Sequence, residues 1–204
     1  MLPDTYQMPE KAAIFELRER ASRFIAYTFP IQTEEEGRQR LNELKKEHYA
    51  AVHHCWAYIL EPDRALQKSS DDREPAGSAG KPILRAILAS GLTNCMVVVV
   101  RYFGGKLLGV PGLIAAYGGS AESSIQLAGT CERRVFAVYQ MELPFERHHE
   151  VIRLFKQFNI RFQPLAYDNW QGLNFELKPS LESSFLAKLG ELDLPPVECI
   201  RNEK

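Results

Sequence analysis

No apolar run in this 204-residue chain approaches the roughly 18–20 residues needed to span a bilayer, so no membrane-crossing helix is expected. The start, "MLPDTYQMPEK", lacks the basic end and apolar core of a secretory leader. Cysteine is sparse: Cys55, Cys95, Cys131 and Cys199 lie far apart with no C-x-x-C pair. That excludes a zinc ribbon or a thioredoxin-type motif and fits reduced thiols in a cytoplasm. A net charge of −1 supplies no global field to draw in nucleic acid or an anionic membrane. Also missing are a Walker A pattern, a G-x-G-x-x-G fingerprint and a G-x-S-x-G elbow.

The composition that is present, 45% hydrophobic and 25% charged, is that of a folded globular chain. "RFIAYTFPI" alternates as a strand does, with Ile25, Tyr27, Phe29 and Ile31 on one face. "TEEEGRQRLNELKKEH" reads as a helix, because Thr33 and Glu36 have capping-box spacing and Lys45 and Lys46 sit at its far end. "AAVHHCWAYIL" is a strand, and a loop rich in Asp and Gly then leads to a short helix, "PILRAILAS". "NCMVVVV" is too apolar for a half-exposed strand and should be central, covered on both faces. "GLIAAYGGSAESSIQLAG" is a helix of small residues suited to close packing on a sheet.

From about Glu132 the pattern becomes strand, helix, two strands around a turn at Asn169-Trp170, helix, strand. That β-α-β-β-α-β order is the order of a ferredoxin-like sandwich. The expected boundaries are an N-terminal domain over 1–131 and a C-terminal domain over 132–204.

Nine of the 13 glycines fall between Gly77 and Gly119. That interval holds no acid but contains the cations Lys81, Arg85, Arg101 and Lys106. Gly104 and Gly105 in "RYFGGK", the "PAGSAGK" loop and a helix opening at Gly112 can together aim amides into one anion-binding hollow. The alternative is that these glycines serve turns and close helix–sheet contacts. Upstream, "SSDDREP" contributes Asp71, Asp72 and Glu74, which suit a metal, general-base chemistry, or salt bridges to Arg101 and Lys106. Ser69, Ser70 and Ser78 are read as loop residues. His53 and His54, adjacent on a strand, must face opposite sides, so only one can join any given site. A metal centre joining one of them to Asp71 or Asp72 is a lesser alternative. His148 and His149, at a helix start, read as surface residues.

"GKPILRAILASGLTNCMVVVVRYFGGKLLG", together with "HHCWAY", "SDDREPAGSAGKP" and "GVPGLIAAYGGSA", resembles the signature of the IMPACT/YigZ family. The resemblance covers most of residues 14–127. It implies a ribosomal-protein-type, translation-factor-like α/β domain followed by a ferredoxin-like domain similar to the last domain of elongation factor G. Eukaryotic relatives regulate translation largely through an additional N-terminal domain, so that role does not carry over. For bacterial members the resemblance implies nucleic-acid or ribosome association. The matching polar residues are His53, His54, Asp71, Asp72, Glu74, Lys81, Arg101, Tyr102 and Lys106.

The expectation is a cytoplasmic, translation-associated binding protein that grips RNA or a ribosome through Arg101, Lys106, Lys81 and glycine amides, with Tyr102 or Phe103 stacking on a base. The rival is an enzyme on a small phosphorylated or carboxylated substrate using Asp71, Asp72 or Glu74. A third reading docks a protein partner on the C-terminal domain. The sequence names no cofactor.

Overall fold

The computed structural model describes residues 2–166 and 170–203. It divides into two compact units, Tyr6–Arg133 and Arg134–Lys204, the latter joined by Met1–Thr5. Both carry antiparallel sheets with helices, a mixed α+β architecture. Among the described residues no helix is long and apolar enough to cross a membrane.

In the first unit the elements run β1 (Thr5–Pro9), β2 (Ala13–Glu19), β3 (Ser22–Pro30), α1 (Glu34–Glu47), β4 (His53–Leu60), β5 (Leu66–Ser70), α2 (Gly80–Ser90), β6 (Cys95–Tyr102), α3 (Gly109–Ala128) and β7 (Thr130–Arg134). Five strands form one sheet in the order β2-β3-β6-β4-β5, and β1 pairs with β7. As its composition requires, β6 is central: every side chain from Cys95 to Arg101 is buried. Val97 and Val99 join Phe24, Ala26, Ile83, Leu113 and Tyr117 in the layer under α2 and α3. Val98 and Val100 turn the other way and pack with Ile25, Tyr27 and Leu44 beneath α1. β3 is therefore covered on both faces as well, more than its alternation suggested.

The Thr33 hydroxyl caps α1 by accepting the Glu36 amide at 3.1 Å. The Glu36 carboxylate reaches back to the Gln32 amide at 2.8 Å, one residue earlier than the usual reciprocal bond. The small residues of α3 do what their size permits. Ala116, Ser120, Ala121 and Ser124 are buried, and the Ser124 hydroxyl meets that of Thr28 on β3 at 2.7 Å. Two expectations need correction. Residues 66–70, read as loop, form β5, so Ser69 and Ser70 are strand residues held by pairing to β4. α3 opens at Gly109, not Gly112.

The second unit runs β8 (Phe136–Pro144), a 3-10 turn (Phe145–Arg147), α4 (His148–Phe158), β9 (Phe162–Ala166), β10 (Trp170–Leu177), α5 (Pro179–Glu191) and β11 (Glu198–Glu203). Its sheet order is β11-β8-β10-β9, antiparallel throughout. Phe155, Phe175 and Phe185 meet at its centre, fully buried. The turn expected around Asn169-Trp170 reaches outside the described residues. His149 is exposed as expected, whereas the Nε2 of His148 is buried without a hydrogen-bond partner, against the surface position expected of it. Asp4 belongs to this unit: its carbonyl accepts the Val135 amide at 2.8 Å, and its carboxylate caps α5 through the Ser180 amide and hydroxyl at 3.0 and 2.6 Å.

Candidate functional site

Strand register brings the site together at one end of the five-stranded sheet. Arg101, near the end of β6, lies opposite Phe24 of β3 on one side and His53 of β4 on the other. All three point toward the α2/α3 layer. The loop leaving β5 passes over the start of β4 and delivers Asp71, Asp72 and Glu74 to the same end.

Each carboxylate is taken up internally. Asp71 accepts the amides of Gly77 (2.8 Å), Ala79 (3.0 Å) and Gly80 (2.8 Å), plugging the start of α2. Burial alone raises its carboxyl pKa, but those three amides and the charge of Lys81 bring it below the ordinary value. Asp72 accepts the His54 amide on its side chain (2.7 Å) and the His53 Nδ1 proton on its carbonyl (2.8 Å). A carbonyl only accepts, so His53 carries its proton on Nδ1 and turns Nε2 toward the Glu74 Oε1, 3.7 Å away. Glu74, 8% exposed, receives the Arg101 Nη1 at 2.6 Å and the Tyr117 hydroxyl at 2.8 Å on that same oxygen. Arg101, 5% exposed, lies between the rings of Phe24 and Phe103, and its Nη2 reaches the Ser22 hydroxyl at 3.5 Å. Ser22 also accepts the Gly104 amide at 3.2 Å. Burial holds the Tyr117 phenol well above its usual range and pushes the Cys55 thiol up to about 12, so both stay protonated at neutral pH.

The acidic and cationic stretches thus meet, but as a closed polar core. Two glycines explain the close fit. A Cβ on Gly80 would stand 2.8 Å from the Ser70 backbone, and one on Gly104 would stand 2.1 Å from that of Ala21. Of the residues expected to touch a ligand, Glu74 and Arg101 are buried against each other, and Asp71 takes the "PAGSAGK" amides foreseen for an external anion while Ser22 takes that of Gly104. The ion pair foreseen for Lys106 is absent among the described residues. Tyr102 and His54 lie on the opposite, α1-facing side. There the Tyr102 hydroxyl meets His48 Nδ1 at 2.9 Å, while His48 Nε2 meets the Tyr27 hydroxyl at 2.6 Å. His54 is buried, which lowers its pKa, and its Nε2 has no hydrogen-bond partner. Lys81, Phe103, Gly105 and Lys106 remain exposed. Among the described residues, no group of three or more His, Cys, Asp or Glu is placed to hold a metal ion.

Sequence reasoning missed Tyr117 and Ser22. Tyr117 carried a signal, as a large polar side chain in a helix otherwise built of small ones; Ser22 carried none.

The Asp71 plug has a pH signature. Its folded pKa is depressed, so its contribution to stability is present above the unfolded value near 3.9 and is lost as pH falls through the folded value. Asp71→Ala is expected to cost about 2 kcal/mol at pH 7 by urea denaturation. The deficit should shrink toward zero at the acid end; a constant deficit across pH would refute the assignment.

Residues 20–125, which include this whole cluster, match the family model of the Impact N-terminal domain. An IMPACT family member of Haemophilus influenzae is 44% identical over 124 residues, which span 60% of this chain and 60% of that protein. The IMPACT family member YigZ of Escherichia coli K12 is 31% identical over 185 residues, 90% of this chain and 91% of that protein. A crystal structure of a hypothetical protein, 29% identical, superposes with a TM-score of 0.69 over 99% of this chain and all of its own. The match to the N-terminal domain model, together with an alignment to YigZ along nearly the whole length, places this chain in the IMPACT family.

Proposed function

We propose that this is a cytoplasmic, translation-associated binding protein that contacts RNA on a ribosome or ribonucleoprotein through the exposed end of the first unit's sheet. On this reading the first unit is a translation-factor-like domain and the second a ferredoxin-like one. The observation that carries it is how charge is distributed at that end. Asp71 is satisfied by amides and Glu74 by Arg101 and Tyr117, whereas Lys81 at the start of α2, Lys106 after β6 and Phe103 (46% exposed) face solvent. Exposed cations and an exposed aromatic ring suit a phosphate backbone with an unstacked base. Arg101 supports this surface from behind and makes no contact of its own. The enzyme reading is weakened at two of its three groups: Asp71 is held ionised by three amides, and Glu74 is buried against Arg101.

With so few phosphate contacts, binding is weak and strongly salt-dependent. Co-sedimentation with ribosomes across a salt series should show a linear loss of log affinity with log salt. Lys81→Ala and Lys106→Ala should each reduce that slope by about 1. No binding at low salt, or an unchanged slope in the double variant, would overturn the proposal.

A further inference from the structure

The second unit holds a cavity of about 290 Å³ where the ends of α4 and β10 meet the starts of β8 and α5. Three cations line it: Arg134, Arg161 and Lys178. The facing acid is Glu176, and none of the four forms an ion pair among the described residues. The walls between them are apolar, chiefly Phe136, Phe158 and Leu181. Arg134 already rests on the Phe136 ring at 5.8 Å.

From this geometry we infer a binding site for a phosphate monoester carried on a small apolar or aromatic body. Among the lining residues, three positive charges against one negative leave an excess of two, matching the roughly −1.5 to −2 charge of a phosphate monoester at neutral pH. Each guanidinium offers parallel donors to phosphate oxygens, and Lys178 adds a point charge. The volume lies at the small end of the roughly 300–1,000 Å³ range of ligand sites, which selects a compact molecule with its ring against Phe136 and Phe158. The Asp4 carboxylate feels the charge of Lys178 but is bonded to Ser180, so it caps α5 and does not fill the cavity. Three cations spread from 134 to 178 form no motif, so the sequence gives no hint of them. The inference is independent of the ribosome reading, which uses the other unit.

Calorimetric titration of the full chain with phenyl phosphate tests it, with inorganic phosphate and benzoate as comparison probes. Phenyl phosphate should saturate one site. Inorganic phosphate, lacking the ring, and benzoate, lacking the second charge, should each bind at least about 5-fold more weakly. Arg161→Gln and Lys178→Gln should each weaken phenyl phosphate by about 10-fold, the worth of one charge-assisted hydrogen bond. Glu176→Gln should tighten it, an effect that general loss of structure does not produce, and Lys106→Ala should leave it unchanged. The site is refuted if phenyl phosphate does not saturate, if the Arg161→Gln/Lys178→Gln double variant binds like the parent, if Glu176→Gln weakens binding, or if inorganic phosphate binds equally well.

Discussion

Arg101→Met is expected to destabilise the first unit by about 3–5 kcal/mol, because it strips the cation from a carboxylate that cannot reach water. Glu74 would keep the Tyr117 hydroxyl at 2.8 Å and the His53 ring at 3.7 Å, but neither supplies the fixed charge of the guanidinium now 2.6 Å away. Glu74→Gln in the same chain removes the stranded charge and should recover a large part of the loss. Urea denaturation followed by tryptophan fluorescence measures both the loss and the recovery. A single-variant loss below about 1 kcal/mol would mean that the pair adds little to the fold.

Gly104→Ala is expected to cost about 3 kcal/mol, for a steric reason. The added carbon would sit 2.1 Å from the Ala21 carbonyl carbon and oxygen and 2.5 Å from the Ser22 nitrogen. Those atoms belong to the two-residue turn between β2 and β3, where Arg20 and Ala21 both take positive φ, 45° and 67°, without glycine at either position. A turn already strained in this way has little room to yield. Displacing it would also disturb Ser22, which holds the Gly104 amide and a guanidinium nitrogen of Arg101. The variant should melt roughly 10 °C lower. Ala21→Gly should rescue little, because the clash is with main-chain atoms; full rescue would show that the Ala21 side chain was the obstacle.

What could be read from the sequence followed from how local each signal is. The apolar run of β6, the Thr33 cap and the small-residue face of α3 each announce themselves within a few positions, and each stands where its pattern puts it. β5 was missed because "LQKSS" is an edge strand whose polar side chains look like loop. The concentration of glycines and charges pointed to two distant stretches, and Glu74 in the loop after β5 does meet Arg101 of β6. It could not show that the partners would satisfy one another: which donors an acid occupies depends on register, and a one-residue change in register reverses every facing. Tyr102 and Arg101 illustrate this, adjacent in sequence yet on opposite faces of the sheet.

Asp4, near the beginning of the chain, ties Val135 and caps a helix that starts at Pro179. During vectorial synthesis that aspartate emerges well before its two partners, which follow more than a hundred residues later. At about 5–20 residues per second, the intervening unit has several seconds to organise before the other can close. A chain cut between Val135 and Pro179 would therefore leave Asp4 without the helix it caps.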